Sequence, residues 1–273
     1  MEKFNFHSHT YRCGHAVGSD ENYVEAAIQN KYHAIGFSDH TPVKYYHQLG
    51  IRMKESDLPG YIRSVNELKE KYGHLIEIYL GLEVEYFPHN IDFVKSLLVN
   101  GDVEYLLLGQ HFYLNNTEEG VIAYRENDLS LYIDDVIKAI ETGIFLYIAH
   151  PDHYGYFYHR QDEHSYDEAK RLILKAKEYG VPLELNISKL ANNIRIGLDM
   201  YNHTPFPVDQ FWQLVGELGA DVVIGLDAHT PLAYFDSPLA WADEYIKKYN
   251  LHVLTKDEVI DRMNKIRKEL TRK

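Results

Sequence analysis

The chain has 273 residues, enough for one core of β/α-barrel size, so a single domain over 1–273 is expected. A formal charge of −13 argues against the basic stripe that non-specific nucleic-acid binding needs, but it leaves room for a small phosphorylated substrate recognised by local charge. The 16 histidines are the anomaly, because average usage of about 2% predicts roughly six.

One cysteine, Cys13, forms no internal disulfide, and MEKFNFHSH lacks the apolar stretch of a secretory signal, so a cytoplasmic location is expected. The longest clean apolar run, 144–149, falls far short of the roughly 20 residues that span a bilayer. No membrane association is expected.

Short apolar runs alternate with amphipathic stretches along the chain. The first strand, 3–7, runs into HSH, where His7 and His9 lie two apart and project to one side of an extended segment. His15 follows in a turn with Gly14 and Gly18. A helix over 20–31, with Asp20 as its cap, leads to a strand at 34–38 that ends in Asp39 and His40. After an irregular stretch, 41–56, a helix at 57–72 carries Leu58, Ile62, Val65 and Leu68 at helical spacing. The strand 76–84 delivers Glu83, with Glu85 on the same face. A helix at 90–99 precedes the strand 104–109 and its GQH, which brings His111. The helix 129–142 and strand 144–149 follow, and His150 closes that strand. A second irregular stretch, 151–166, is followed by a helix at 167–179, a strand at 182–187 and a third candidate wall, 188–206. The helix 207–219 and strand 221–226 bring Asp227 and His229, and helices at 238–249 and 256–270 complete the chain.

Strand followed by helix, repeated in this way, predicts an α/β fold in which seven parallel strands close into a TIM-like (β/α)7 barrel. An open doubly wound sheet is the competing architecture. It would concentrate its site at one switch point, whereas candidate ligands here follow six of the seven strands. No glycine-rich phosphate loop is present.

A lone HxH is weak, and any one of these histidines could be structural. Together they place several imidazoles at one barrel mouth, where they repel one another when protonated and leave nitrogens without partners when neutral. Cations remove that cost, so a polynuclear metal site is expected. Glu83 suits it because a carboxylate bridges two cations; Glu85 is expected to face solvent or to pair with an arginine. Asp39 is expected to orient a neighbouring imidazole, and Cys13 to be a small buried side chain.

The succession HSH, GHA, SDH, GLE, GQH, AHP, LDAH resembles the polymerase and histidinol phosphatase (PHP) superfamily over the whole chain. GLEVEYFP, GQHF and the tyrosine-rich loops resemble its stand-alone histidinol-phosphate phosphatases. The resemblance implies a distorted seven-stranded barrel with three divalent ions, zinc, manganese or iron. His7, His9, Glu83 and Asp227 would hold the first, Glu83, His111 and His150 the second, and His15, His40 and His229 the third. It further implies attack of a metal-bridging hydroxide on L-histidinol phosphate, releasing L-histidinol and phosphate in histidine biosynthesis. The alternatives are another small phosphate or nucleotide end as substrate, or a non-catalytic metal-binding domain.

Phosphate clamping asks for planar guanidinium groups, and Arg160 and Arg195 in the rim loops are the candidates. Asp227, through its unligated oxygen, and His153 are candidates for protonating the leaving oxygen. An imidazole and an ammonium group would suit the wall tyrosines Tyr45, Tyr46, Tyr154, Tyr156 and Tyr158 and the acids Asp152, Asp162 and Glu163.

Overall fold

The computed structural model describes residues 2–43, 50–114, 120–187, 207–235 and 239–272. Its strands are β1 (Phe4–Asn5), β2 (Ala34–Phe37), β3 (Glu77–Val84), β4 (Tyr105–Leu108), β5 (Phe112–Leu114), β6 (Val121–Ala123), β7 (Tyr147–Ile148), β8 (Leu183–Asn186), β9 (Asp221–Gly225) and β10 (His252–Val253). The longer helices are α1 (Asp20–Gln29), α2 (Leu58–Tyr72), α3 (Pro88–Asn100), α4 (Leu129–Glu141), α5 (Glu163–Glu178), α6 (Asp209–Leu218), α7 (Leu239–Tyr249) and α8 (Lys256–Thr271). Among the described residues no helix is long and apolar enough to cross a membrane.

The main sheet runs β1-β2-β3-β4-β7-β8-β9-β10 with every neighbouring pair parallel. It curls until its first strand meets the segment after β9. A Ser8–Ala228 bridge forms there, with the His9 N–H donating to the Ala228 carbonyl at 2.9 Å and the Ala228 N–H to that of His7 at 3.0 Å. The seven expected strands are all present, but the sheet has eight. The extra strand, β10, pairs with Asp221 and Val222 at the start of β9, the end away from the histidines. A two-residue strand between two helices carries no readable period. The antiparallel β5-β6 pair after His111 was likewise not expected.

Alternation along each strand separates an outer layer, packed under the helices, from the barrel interior. Leu106 and Leu108 point outward, while Tyr105 and Leu107 join Phe6, Ala34, Tyr147 and Val223 inside. Val259 and Met263 of α8 pack against this inner cluster and plug the barrel from below. The bulk of Tyr105 is accommodated by Gly36 and Gly81, where a Cβ would lie 2.3 and 2.4 Å from its side chain. Its hydroxyl lies 2.7 Å from the Phe6 carbonyl and 3.0 Å from that of Phe37, just below His7 and Asp39.

Asn5 fastens the seam of the curl. Fully buried, it accepts from the backbone N–H groups of His7 and Leu226, at 3.2 and 2.9 Å, and its amide faces Ser8 Oγ and the Tyr234 hydroxyl, each at 2.9 Å. Replacing it with alanine would leave two backbone donors unsatisfied. We expect Asn5→Ala to cost about 2–4 kcal/mol, read from the urea midpoint at constant m. A loss below about 1 kcal/mol would show that the seam holds without it.

Two helix starts differ from expectation. Ser19 caps α1, accepting from the Asn22 N–H, while Asp20 is the first helical residue and binds Arg12 at 2.8 Å. Helix α5 begins at Glu163 because Asp162 and Ser165 form a reciprocal capping box, so the loop after His150 is shorter than the expected 151–166.

Candidate metal centre

The inward positions at the C-terminal ends of the strands carry the chemistry. On β3, Ile78, Leu80, Leu82 and Val84 pack outward, which turns Tyr79, Gly81 and Glu83 into the barrel. Glu83 is 2% exposed and stands at the centre of the cluster. Its Oε1 lies 3.0 Å from His150 Nε2, 3.5 Å from His7 Nε2 and 3.9 Å from His111 Nε2. Its Oε2 lies 2.9 Å from His40 Nδ1 and 3.5 Å from His9 Nε2. Space for this carboxylate comes from Gly109 at the end of β4, where a Cβ would sit 1.9 Å from Oε1.

Asp227 approaches from the other side. Its Oδ1 is 3.1 Å from His9 Nε2 and 3.4 Å from His7 Nε2, and its Oδ2 accepts from the Asn186 amide at 3.1 Å. The His229 ring stacks on His9 at 4.0 Å between centroids and on His15 at 4.6 Å, and His40 lies 4.4 Å from His9. The His111 and His150 rings are 4.9 Å apart. All nine residues expected to converge are therefore brought together. His150 and Asp227 both hold positive φ, 33° and 45°, a conformation that side chains other than glycine rarely adopt and that clusters at functional sites.

Several groups of three offer ligand atoms within 4.8 Å of one another, including His7-His9-Asp227, His7-Glu83-His150, His9-His40-His229 and His111-His150-His153. Imidazole nitrogens and carboxylate oxygens suit divalent transition metals. The His229 Nε2 is buried with no hydrogen-bond partner among the described residues, as a nitrogen aimed at a cation would be. The residues present thus fit the expected ions.

Burial alone would lower the pKa of His7, yet the carboxylates of Glu184, Asp227 and Glu83 hold it up at about 10. His9 is likewise raised, against burial, by Asp227 and Asp39. Burial dominates at His40 and His229, pushing them down to about 4 and about 3. Burial would raise Glu83, but the facing imidazoles, His40 first, hold it well below the usual carboxylate range.

The residues around the cluster sort differently. Asp39, fully buried, accepts the His40 backbone N–H at 2.7 Å and the Thr10 hydroxyl, and faces His9 Nδ1 at 3.6 Å. Glu85 pairs with Arg52 at 2.6 Å, as one expected reading had it, and lies 3.4 Å from His111 Nδ1. Cys13 is buried; burial would raise its thiol, but hydrogen bonds with His15 and His9 draw it down to about 7. Its sulfur also groups with His15 and His229.

His153 belongs to the cluster, its ring 5.0 Å from His111 and 5.0 Å from that of Tyr156, which is 47% exposed. Arg160 sits on the rim, 59% exposed, beside Glu126 at 3.2 Å and over the Tyr158 ring at 4.8 Å. Arg195, Tyr45 and Tyr46 lie outside the described residues. Tyr154 and Tyr158 are core residues rather than open wall, and Asp152 is fully buried, accepting from the Trp212 indole and the Val208 N–H. Asp162 and Glu163 begin α5.

Sequence reasoning missed Glu184, Asn186 and the space-making Gly109 and Gly225. The alternation that turns Glu83 inward also turns Glu184 and Asn186 inward in the buried strand LELN, so the signal was there to read.

The PHP domain model matches residues 5–188, more than half of the chain and most of the segments that supply the cluster. The chain belongs to the PHP domain family. This PHP chain is 28% identical over 233 residues to a probable histidinol-phosphatase of Deinococcus radiodurans, covering 82% of this chain and 85% of that one. It is 25% identical over 256 residues to a probable histidinol-phosphatase of Schizosaccharomyces pombe, covering 82% and 80%. Its fold is similar to that of a Lactococcus lactis histidinol phosphate phosphatase crystallised with zinc, L-histidinol and phosphate, with a TM-score of 0.66, 17% identity and coverage of 93% and 95%.

Proposed function

We propose that this chain is a single-domain, metal-dependent phosphomonoesterase that hydrolyses L-histidinol phosphate to L-histidinol and phosphate, a cytoplasmic step of histidine biosynthesis. The observation that carries the catalytic reading is the convergence of nine candidate ligand side chains, eight of them gathered around the ninth, the buried carboxylate of Glu83. The substrate is supported by the names of the two curated relatives.

The site would take three divalent ions: one on His7, His9, Glu83 and Asp227, one on Glu83, His111 and His150, and one on His15, His40 and His229. Zinc is supported by the Lactococcus lactis structure. Such ions, when bound, supply Lewis acidity toward a phosphoryl oxygen and lower the pKa of water to about 7. The chain's own residues orient and deliver protons. Asn186 holds Asp227 Oδ2, leaving Oδ1 directed at His7 and His9. Either Asp227, through the oxygen that holds no ion, or His153, whose ring lies 5.0 Å from that of His111, would protonate a leaving oxygen. Tyr156 offers an exposed ring for the imidazole of the substrate, and Arg160 and Arg195 remain the proposed phosphate clamps.

Hydrolysis rates on histidinol phosphate, a generic aryl phosphate and a 3′-ended oligonucleotide, each with and without chelator, test this reading. We expect histidinol phosphate to be preferred by at least about 10²-fold in kcat/KM, since buried polar groups matched to one leaving group reject analogues lacking it. Preference for the oligonucleotide, or no turnover by metal-loaded protein, would contradict it.

A further inference from the structure

Glu184 lies outside the three ligand sets, yet it is fully buried on β8 directly beneath them. Its Oε1 is 2.8 Å from His7 Nδ1, and its Oε2 accepts the backbone N–H of His150 at 3.0 Å. Those two residues come from β1 and β7 and reach the same Glu83 oxygen, at 3.5 and 3.0 Å. Room for the carboxylate is made by Gly225 on β9, where a Cβ would sit 1.8 Å from Oε1.

The two contacts act differently. Accepting at Nδ1 retains the proton on that nitrogen when the ring gives up the other to bind an ion, so the lone pair then lies on Nε2, the nitrogen facing Glu83 and Asp227. Accepting from the His150 N–H holds a backbone whose φ is 33°, which fixes the direction in which that imidazole leaves the strand. Only a group with two acceptor oxygens does both, because a glutamine would meet one of the two donors with an N–H.

We propose that Glu184 is a positioning residue that couples His7 and His150 and so sets how long the ions of the centre are retained. The proposal rests on the metal reading above. Wild type, Glu184→Gln and Gly225→Ala would be loaded with zinc, freed of excess and mixed with a chromogenic chelator to follow release, and the melting temperature of each would be taken with and without zinc. Gly225→Ala crowds the carboxylate without altering its chemistry, so it carries the test if Glu184→Gln does not fold. We expect release to accelerate about 10–100-fold in Glu184→Gln, and in the same direction in Gly225→Ala, with a smaller zinc-induced rise in melting temperature in both. A merely structural role would lower both melting temperatures together and leave release unchanged, which would overturn the proposal. If wild type itself retained no zinc, the metal reading would fail first and this one with it.

Discussion

Glu83→Gln is expected to lower kcat/KM by about 10³-fold and to strip metal from the protein, because it removes the one carboxylate that faces five imidazoles. Those imidazoles come from the ends of β1, β2, β4 and β7, so no neighbour can take over the role by a rotamer change. Breaking a buried, paired charge costs about 3–5 kcal/mol, the equivalent of a factor of about 10²–10⁴. Glutamine keeps the shape, so the loss reports charge rather than packing. Gly109→Ala is the companion, since its methyl would displace the same carboxylate. Kinetics with metal analysis on purified protein check both, and a Glu83→Gln enzyme within tenfold of wild type would remove Glu83 from the centre.

Chelation is expected to abolish activity and to lower the melting temperature by at least about 10 °C, the contribution of one tightly held ion, both restored by adding metal. An ion at about 1,000 times its Kd contributes about 4 kcal/mol, and a domain of this size shifts by about 2–4 °C per kcal/mol. The pH dependence has a definite sign. His7 is raised to about 10 from 6.5, so in the chelated protein its contribution is complete below about 6.5 and is lost as pH rises toward 10. His40 and His229, pushed down to about 4 and about 3, are neutral in both folded forms throughout that window, so they drop out of the difference between chelated and loaded protein. Cations bind deprotonated imidazole, so the loaded protein gains where the chelated one loses. The gap in melting temperature between the two forms should therefore widen from pH 6.5 to 9, as scanning calorimetry would show. A constant or narrowing gap would contradict it.

The candidate ligands other than His15 were legible because each sits just past the end of a short apolar run, and chain order preserves those endings although the fold scatters them. His7, Glu83 and Asp227 needed no contact information, only strand ends and alternation. Glu184 and Asn186 could have been read from the alternation of LELN, but other roles depend on pairs distant in sequence. The Asn5 amide gains meaning only once Leu226 is beside it, and Gly109 and Gly225 only once Glu83 and Glu184 face them. The eighth strand escaped because two residues, His252 and Val253, cannot show a period. Tyr154 and Asp152 read as pocket wall by position, whereas packing against Phe211 and Trp212 draws them inward.

A crystal of the zinc-loaded protein soaked with phosphate, measured at the zinc absorption edge, tests the central claim most directly. The account predicts three anomalous peaks within ligand distance of the nine side chains, with Glu83 touching two of them and phosphate bound above. An edge map with no peak among those histidines, or with the nine groups turned away from one another, would contradict it.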